Sequence, residues 1–382
     1  MSTAILASDS IGRAEQFSTR VAFFIAGFGG AVWAALVPFA KTRAGLEEGG
    51  LGLLLLAFGI GSIIAMPLAG ALAGKYGCRR VLIASSLMVC VALPALATVS
   101  SAPLLAASLF ILGAGVGSVD CVINIQAVIV ERAAGKALMS GFHGLFSVGG
   151  IAGAAGCAGI LSFGASPVTV SLIAAVFTAA MLIWAAPHFL GFGGGSSGPA
   201  FALPHGVVLF IGILCFIVFL TEGAILDWSA VFLTFTRGAD PAHAGFGYAA
   251  FATTMTIGRL SGDAIVRRVN RVTIILVGGL LAASGLLVAT LVPSVTAAMI
   301  GFALVGAGCS NIVPVLYSAI GKQTLMPESV AVPAVTTLGY AGILLGPAAI
   351  GFVAHVASLP TAFLIISVFL IGVAASGRFL KT

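Results

Sequence analysis

Apolar residues run through this chain in long blocks, and polar residues are confined to the gaps between them. Twelve blocks are long enough for a helix to cross the ~30 Å hydrocarbon core of a bilayer, which takes about 20 largely apolar residues. They are 17–40, 51–73, 79–98, 102–127, 137–161, 167–187, 206–233, 244–265, 272–291, 294–318, 331–355 and 360–378. Several gaps are only a few residues long and carry Pro and Ser, as at Ser101-Ala102-Pro103, Ser166-Pro167 and Pro293-Ser294. Such tight turns suit antiparallel neighbours in a bundle, and the ~10-residue alternating segments of a membrane barrel are absent. The pattern predicts an all-α integral membrane protein with twelve transmembrane helices.

Composition agrees. The chain is 60% hydrophobic with 17 Lys or Arg and 11 Asp or Glu, so 7% is charged, where a soluble domain carries about 25%. That is too little charge to coat two soluble domains and enough to coat short membrane loops. A soluble enzyme, a nucleic-acid binder and a secreted disulfide scaffold are disfavoured. The six cysteines form no CxxC or metal-ligand spacing and read as small core residues. No cofactor is expected.

The placement of charge predicts orientation. With a cytosolic N-terminus, one side holds Arg13, Arg20, Lys75, Arg79, Arg80, Arg132, Lys136, Arg267, Arg268, Arg271, Lys322, Arg378 and Lys381. The other holds only Lys41, Arg43 and Arg237. Loops rich in Lys and Arg stay in the cytosol, so both termini are expected there. Residues 1–16 lack the order of a signal peptide and read as a short cytosolic tail. The longest irregular stretch, 188–205, is rich in Gly, Ser and Pro and reads as a flexible cytosolic linker. It separates a bundle at 17–187 from a second at 206–378, with residues 379–382 as the C-terminus.

The two bundles repeat at an offset of about 192. Gly70 falls on Gly262, Lys75 on Arg267 and Arg79 on Arg271; Gly113-Ala-Gly115 falls on Gly306-Ala-Gly308, and Gly149-x3-Gly153 on Gly342-x3-Gly346. Six spans return the second copy to the same orientation. The repeat axis then lies along the membrane normal, an arrangement used by alternating-access transporters.

Gly70-x3-Gly74-Lys75-x-Gly77-x-Arg79-Arg80 resembles the loop motif of the major facilitator superfamily, Gly-x3-Asp-Arg/Lys-x-Gly-x-Arg/Lys-Arg/Lys. Gly74 stands where the family usually has Asp, and Val266 where the second copy would have it. In that family the loop is associated with gating on the cytosolic side, and its Asp engages a neighbouring helix. The resemblance therefore implies the major facilitator fold, with Lys75, Arg79, Arg80, Arg267 and Arg271 as gating residues. A narrower resemblance is to bacterial transporters distantly similar to fucose permeases. It rests on Asp120 with Asn124, Gly141-Phe142-His143-Gly144, Glu222 with Asp227-Trp228, Gly258-Arg259 and Gly339-Tyr340. It implies residence in a bacterial inner membrane.

Polar side chains inside apolar spans are few, and a charge at mid-membrane costs roughly 2.5–3.5 kcal/mol on insertion scales. Asp120 lies in the uncharged run 102–130, with Asn124 one turn later on the same face. A carboxylate that alternates between wet and dry surroundings suits reversible protonation. The resemblance places the proton-coupling acid of fucose permease-like proteins here, within Gly115-x-Gly117-x2-Asp120-x3-Asn124. The competing reading is a helix–helix hydrogen-bond anchor. Glu222, central in the run 206–236, is a second coupling or cavity candidate, and Asp227 near the outer end reads as a gate or cap. His143 matches a substrate-contacting position of the same resemblance, with loop capping as its rival. Asn311 and Tyr340 complete the candidate cavity. Arg259 is four residues before Asp263, which favours an i,i+4 salt bridge on the cytosolic side.

These residues predict secondary active transport of a small solute, working as a monomer, driven by protons. Amides, carboxylates and aromatic rings suit a neutral, sugar-like solute; a hydrophobic cation is the rival substrate. An uncoupled facilitator, a drug or metabolite exporter and a non-transporting sensor or scaffold are the other functions considered. Catalysis has no triad, zinc spacing or phosphate loop to rest on. Reporter fusions near Gly195 and after Lys381 should both read cytosolic; a periplasmic signal from either overturns the topology.

Overall fold

The computed structural model describes residues 11–45, 48–193, 203–239 and 245–379. The described chain is helical apart from short connections. Its helices are α1 (Arg13–Arg43), α2 (Glu48–Tyr76), α3 (Cys78–Thr98), α4 (Ala102–Ala134), α5 (Met139–Ser162), α6 (Pro167–Ala185), α7 (Gly206–Val231), α8 (Phe246–Arg268), α9 (Arg271–Leu291), α10 (Val295–Cys309), α11 (Ile312–Ile320), α12 (Glu328–Val356) and α13 (Leu359–Ser376). Eleven segments are long and apolar enough to cross a membrane. The remaining expected span, α8, is 23 residues long but less apolar, because Arg259, Asp263, Arg267 and Arg268 lie on it.

The turn residues act as the sequence predicts. Ser166, Asn270, Ser294 and Ser358 each accept a backbone N–H of the first helical turn, which satisfies a donor that would otherwise lack a partner. Pro103, Pro167 and Pro360 stand at helix starts, where a missing N–H costs nothing. The expected tenth span is broken, however, into α10 and α11 at Ser310 and Asn311. Pro314 accounts for the break: it has no N–H for the Ser310 carbonyl four residues back, and its ring crowds that carbonyl. Across Gly346-Pro347, by contrast, α12 continues as one helix.

The chain forms two compact units. The first contains α1 to α4, α6, most of α5 and the start of α12. Val32, Trp33, Leu36, Leu93, Leu96, Leu105 and Leu109 lie in its core. The second contains α7 to α11, α13, the rest of α12 and the first turns of α5. In it Phe232, Phe302 and Phe363 pack ring against ring, with centroids 5.1–6.1 Å apart.

Repeat-related glycines make repeat-related contacts. A methyl on Gly113 would overlap the Phe58 carbonyl, and one on Gly306 the Phe251 carbonyl. Gly149 lies in the same way on the Phe24 carbonyl and Gly342 on that of Phe216. The arginines repeat as well. Arg43 donates to the carbonyls of Val99 (3.0 Å) and Leu96 (2.5 Å) at the end of α3. Arg237 donates to those of Ala289 (2.7 Å) and Thr290 (2.6 Å) at the end of α9. Two of the three basic residues on the sparsely charged side are thus helix C-caps, favoured by the negative end of the helix dipole.

The segment 188–205 is not slack throughout. Phe189 and Leu190 are buried. The Leu190 N–H donates to Gln126 Oε1 (3.0 Å), the Arg79 N–H to the Leu190 carbonyl (2.8 Å) and Ser18 Oγ to the His188 carbonyl (3.0 Å). Gly77 has φ +86 and lies against the Gly191 carbonyl. The beginning of the linker therefore straps the loop after α2. Residues 194–202 lie outside the described residues.

Arg43→Ala and Arg237→Ala should each destabilise the solubilised protein by about 1.5–3 kcal/mol, the value of a hydrogen bond to a charged group. Thermal melting in detergent checks this, and two unchanged melting temperatures would remove the capping role.

Candidate functional site

In the first unit the site is carried by α4. Every residue from Gly113 to Val130 is buried, since Gly113 and Gly117 admit the neighbouring backbone. Asp120 is 8% exposed, and among the described residues no hydrogen bond reaches its carboxylate. Asn124, one turn on, donates from Nδ2 to the Asp120 backbone carbonyl (2.9 Å), and its buried Oδ1 has no hydrogen-bond partner. Other faces of α4 are engaged. Cys121 Sγ reaches the Met66 carbonyl at 3.4 Å, and Gln126 donates to Thr19 Oγ1 at 2.9 Å. Asp120 and Asn124 together form a buried, acceptor-rich position on α4.

The second unit joins residues that sequence reading kept apart. Arg259 Nη2 on α8 meets Glu222 Oε1 on α7 at 3.0 Å. The pair is deeply placed, with the Arg259 side chain 8% and the Glu222 side chain 18% exposed. A cross-helix partner of Arg259 is Glu222, 37 residues away in sequence. Asp263 Oδ1 accepts the Gly141 N–H (3.0 Å) in the first turn of α5, where the helix dipole favours an anion. Asn311 at the break between α10 and α11 donates to the Gly258 carbonyl (3.0 Å), leaving Oδ1 buried and without a hydrogen bond. The turn of α8 from Gly258 to Gly262 thus carries both the Glu222–Arg259 pair and the contact with Asn311. His143 is buried with its ring 5.7 Å from that of Tyr317, whose hydroxyl is 2.7 Å from Thr336 Oγ1. Tyr340 is half-buried on α12.

The residues assigned to gating are mostly at the surface. Lys75, Arg79, Arg80 and Arg267 are exposed, Lys75 with Nζ 5.0 Å from the Tyr76 ring centroid, and Arg271 is partly buried at the start of α9. Asp227 is exposed on α7 with no hydrogen bond among the described residues, beside Trp228, whose indole N–H is buried without a hydrogen-bond partner.

Two contacts escaped sequence reading. Arg132 at the end of α4 forms a two-pronged ion pair with Glu328 at the start of α12. Asp263 holds Gly141. Each accompanies a glycine of the duplicated motif: Gly70 lies on Pro333 and the Ser329 carbonyl, Gly262 on Asn311 and Ser140. Gly70 and Gly262 were legible as a repeated pair. Their partners were not, because a spacing of 196 residues between Arg132 and Glu328 leaves no local trace. Among the described residues no group of three or more His, Cys, Asp or Glu converges as a metal site would require.

The sequence model of the Major Facilitator Superfamily matches residues 19–324. An uncharacterized MFS-type transporter of Yersinia pestis is 52% identical over 368 residues, 96% of each chain. Membrane protein MosC of Rhizobium meliloti is 33% identical over 90% of this chain and 84% of its own. Among solved structures, the E. coli fucose:proton symporter FucP aligns with a TM-score of 0.75 at 18% identity, covering 96% of this chain and 98% of its own. FucP has also been solved in an outward conformation.

Removing the Asp263 carboxylate leaves the Gly141 amide without its acceptor. In Asp263→Ala, peptides covering residues 138–144 should exchange amide hydrogen about tenfold faster, as expected for losing a charge-assisted bond. Unchanged exchange would show that Asp263 does not hold this turn.

Proposed function

The chain belongs to the Major Facilitator Superfamily, and from that membership we propose that it couples movement of a neutral, sugar-like solute to protons. The broader statement is plain: it is a multi-pass protein of a bacterial inner membrane, a transporter rather than an enzyme. It moves a small solute by alternating access as a secondary transporter. The proposal further takes both termini as cytosolic and the monomer as the working unit.

The Asp120 carboxylate carries the proton reading. Charge in a dry environment is costly unless paired, and the neutral acid is cheaper there. Asp120 has no cation or hydrogen-bond donor among the described residues. A proton is the smallest species that relieves this. When the site is wet the carboxylate is solvated and the proton departs; when it is dry the protonated form is favoured. Proton and solute then both favour the occluded state, which is thermodynamic coupling. Glu222 is a weaker proton carrier, because its carboxylate is already paired with the Arg259 guanidinium. The sugar-like assignment draws on the hydrogen-bonding amides and carboxylates of the candidate cavity, with Tyr340 as a ring for a sugar face. It also draws on the likeness of fold to a fucose:proton symporter.

Asp120→Asn fixes a neutral side chain of the same shape. In proteoliposomes it should abolish accumulation driven by a pH gradient while leaving solute exchange across the membrane intact. Gradient-driven accumulation at the unmodified level would remove Asp120 from coupling. If the unmodified protein equilibrates solute and ignores the gradient, it is a facilitator.

A further inference from the structure

We propose that Asn124 positions the Asp120 proton, its amide oxygen accepting the O–H of the protonated acid. This rests on the proton reading above and adds a second residue to it. Both side chains belong to α4, four residues apart on one face, a separation at which side chains meet on a helix. Asn124 is 1% exposed and Asp120 8%. The Asn124 amide nitrogen donates to the Asp120 backbone carbonyl (2.9 Å). A carbonyl only accepts, so the nitrogen must face it and the orientation of the amide is fixed. Its Oδ1 is left buried without a hydrogen bond. Among the described residues no hydrogen bond reaches the Asp120 carboxylate either. Gln126, the neighbouring buried amide of α4, shows the contrast: its Nε2 donates to Thr19 Oγ1 and its Oε1 accepts the Leu190 N–H.

With Asp120 ionised, this position holds two acceptors and no donor, and a buried acceptor without a donor is unfavourable. One proton changes this. It binds a carboxylate oxygen and removes the charge, and the new O–H donates to Asn124 Oδ1. A single hydrogen then satisfies both groups. A hydrogen bond made only by the neutral form favours that form, so Asn124 adds to burial a bond that lasts only while the proton is held. The surroundings leave the pair to itself. Helices α1, α2 and α3 pack against α4, and among the described residues none presents a charged side chain to Asp120; burial alone acts on its carboxylate. The titratable groups near it are thiols. Cys121, next on α4, feels the Asp120 charge and that of Cys78 on α3, and its Sγ lies 3.4 Å from the Met66 carbonyl. Glu131 and Arg132 of α4 itself lie about three turns further on.

The test needs no solute, because its ligand is the proton. Infrared spectra of the purified full chain are recorded as the pH is varied. The C=O stretch of the protonated acid is assigned to Asp120 by its loss in Asp120→Asn. Asn124→Leu keeps the size of the amide and removes the acceptor. It should move the midpoint of that band to lower pH by about one unit, the roughly tenfold loss of proton affinity that one hydrogen bond represents. The stretch should also move to higher wavenumber, as for an acid whose O–H has no acceptor. A merely structural role gives the opposite result, since an apolar side chain would dry the site further and raise the midpoint. A midpoint that stays or rises therefore overturns the role of Asn124 while the Asp120 proton reading stands. Absence of any Asp120 band between about pH 4 and pH 10 overturns the proton reading and this inference with it. Should Asn124→Leu fail to fold, Asn124→Met decides on the same two readouts, because methionine fills irregular space and offers only a weak acceptor.

Discussion

Close approach of backbones at glycine is the constraint on which the rest of this structure depends. Between helices in lipid there is little hydrophobic drive, because acyl chains are as apolar as leucine; association depends on dispersion contacts and on small residues that let helices touch. Gly113 on the Phe58 carbonyl and Gly149 on the Phe24 carbonyl supply such contacts in the first unit. Gly306 on Phe251 and Gly342 on Phe216 supply their counterparts in the second. A side chain at any of these positions would push two helices apart. On α4 the close seating of Gly113 and Gly117 goes with burial of every residue from Gly113 to Val130, Asp120 among them.

With only 28 charged side chains, the placement of each polar group follows from the expense of leaving it bare. Arg43 and Arg237 are used on helix carbonyl ends, Arg132 meets Glu328, and Arg259 meets Glu222. This accounts for most of the basic residues that sit against the charge asymmetry of the loops. Asp120 departs from the pattern, since among the described residues no hydrogen bond reaches its carboxylate, and the proposed proton coupling rests on that departure.

The loop after α2 shows how the chain manages without an acid that its family usually carries. Gly74 occupies that place. The backbone of the loop is held by the start of the linker, through Leu190 and Phe192, and Gly77 takes a left-handed conformation beside Gly191. On the other copy an acid does hold a neighbouring helix, but it is Asp263, adjacent to the motif glycine rather than four residues beyond it. The duplicated loops have diverged in chemistry while Gly70 and Gly262 keep their close contacts.

The all-helical membrane-spanning class, the family, the repeated glycines and the isolation of Asp120 were legible in the amino-acid sequence, because each depends on hydropathy over a single span or on matched spacing. Serine and proline likewise announced helix starts, since capping is local. The rotation of each helix about its own axis was not legible. A helix apolar on all sides, such as α7 or α10, presents no stripe from which to read the face that meets its neighbour. Tertiary structure therefore decided that Arg259 meets Glu222, that Asp263 holds Gly141 and that Glu328 meets Arg132. It also decided that Pro314 interrupts its span while Pro347 does not. Such pairings follow from how neighbouring helices seat against one another, and residues tens to hundreds of positions apart leave no mark of that in the local pattern.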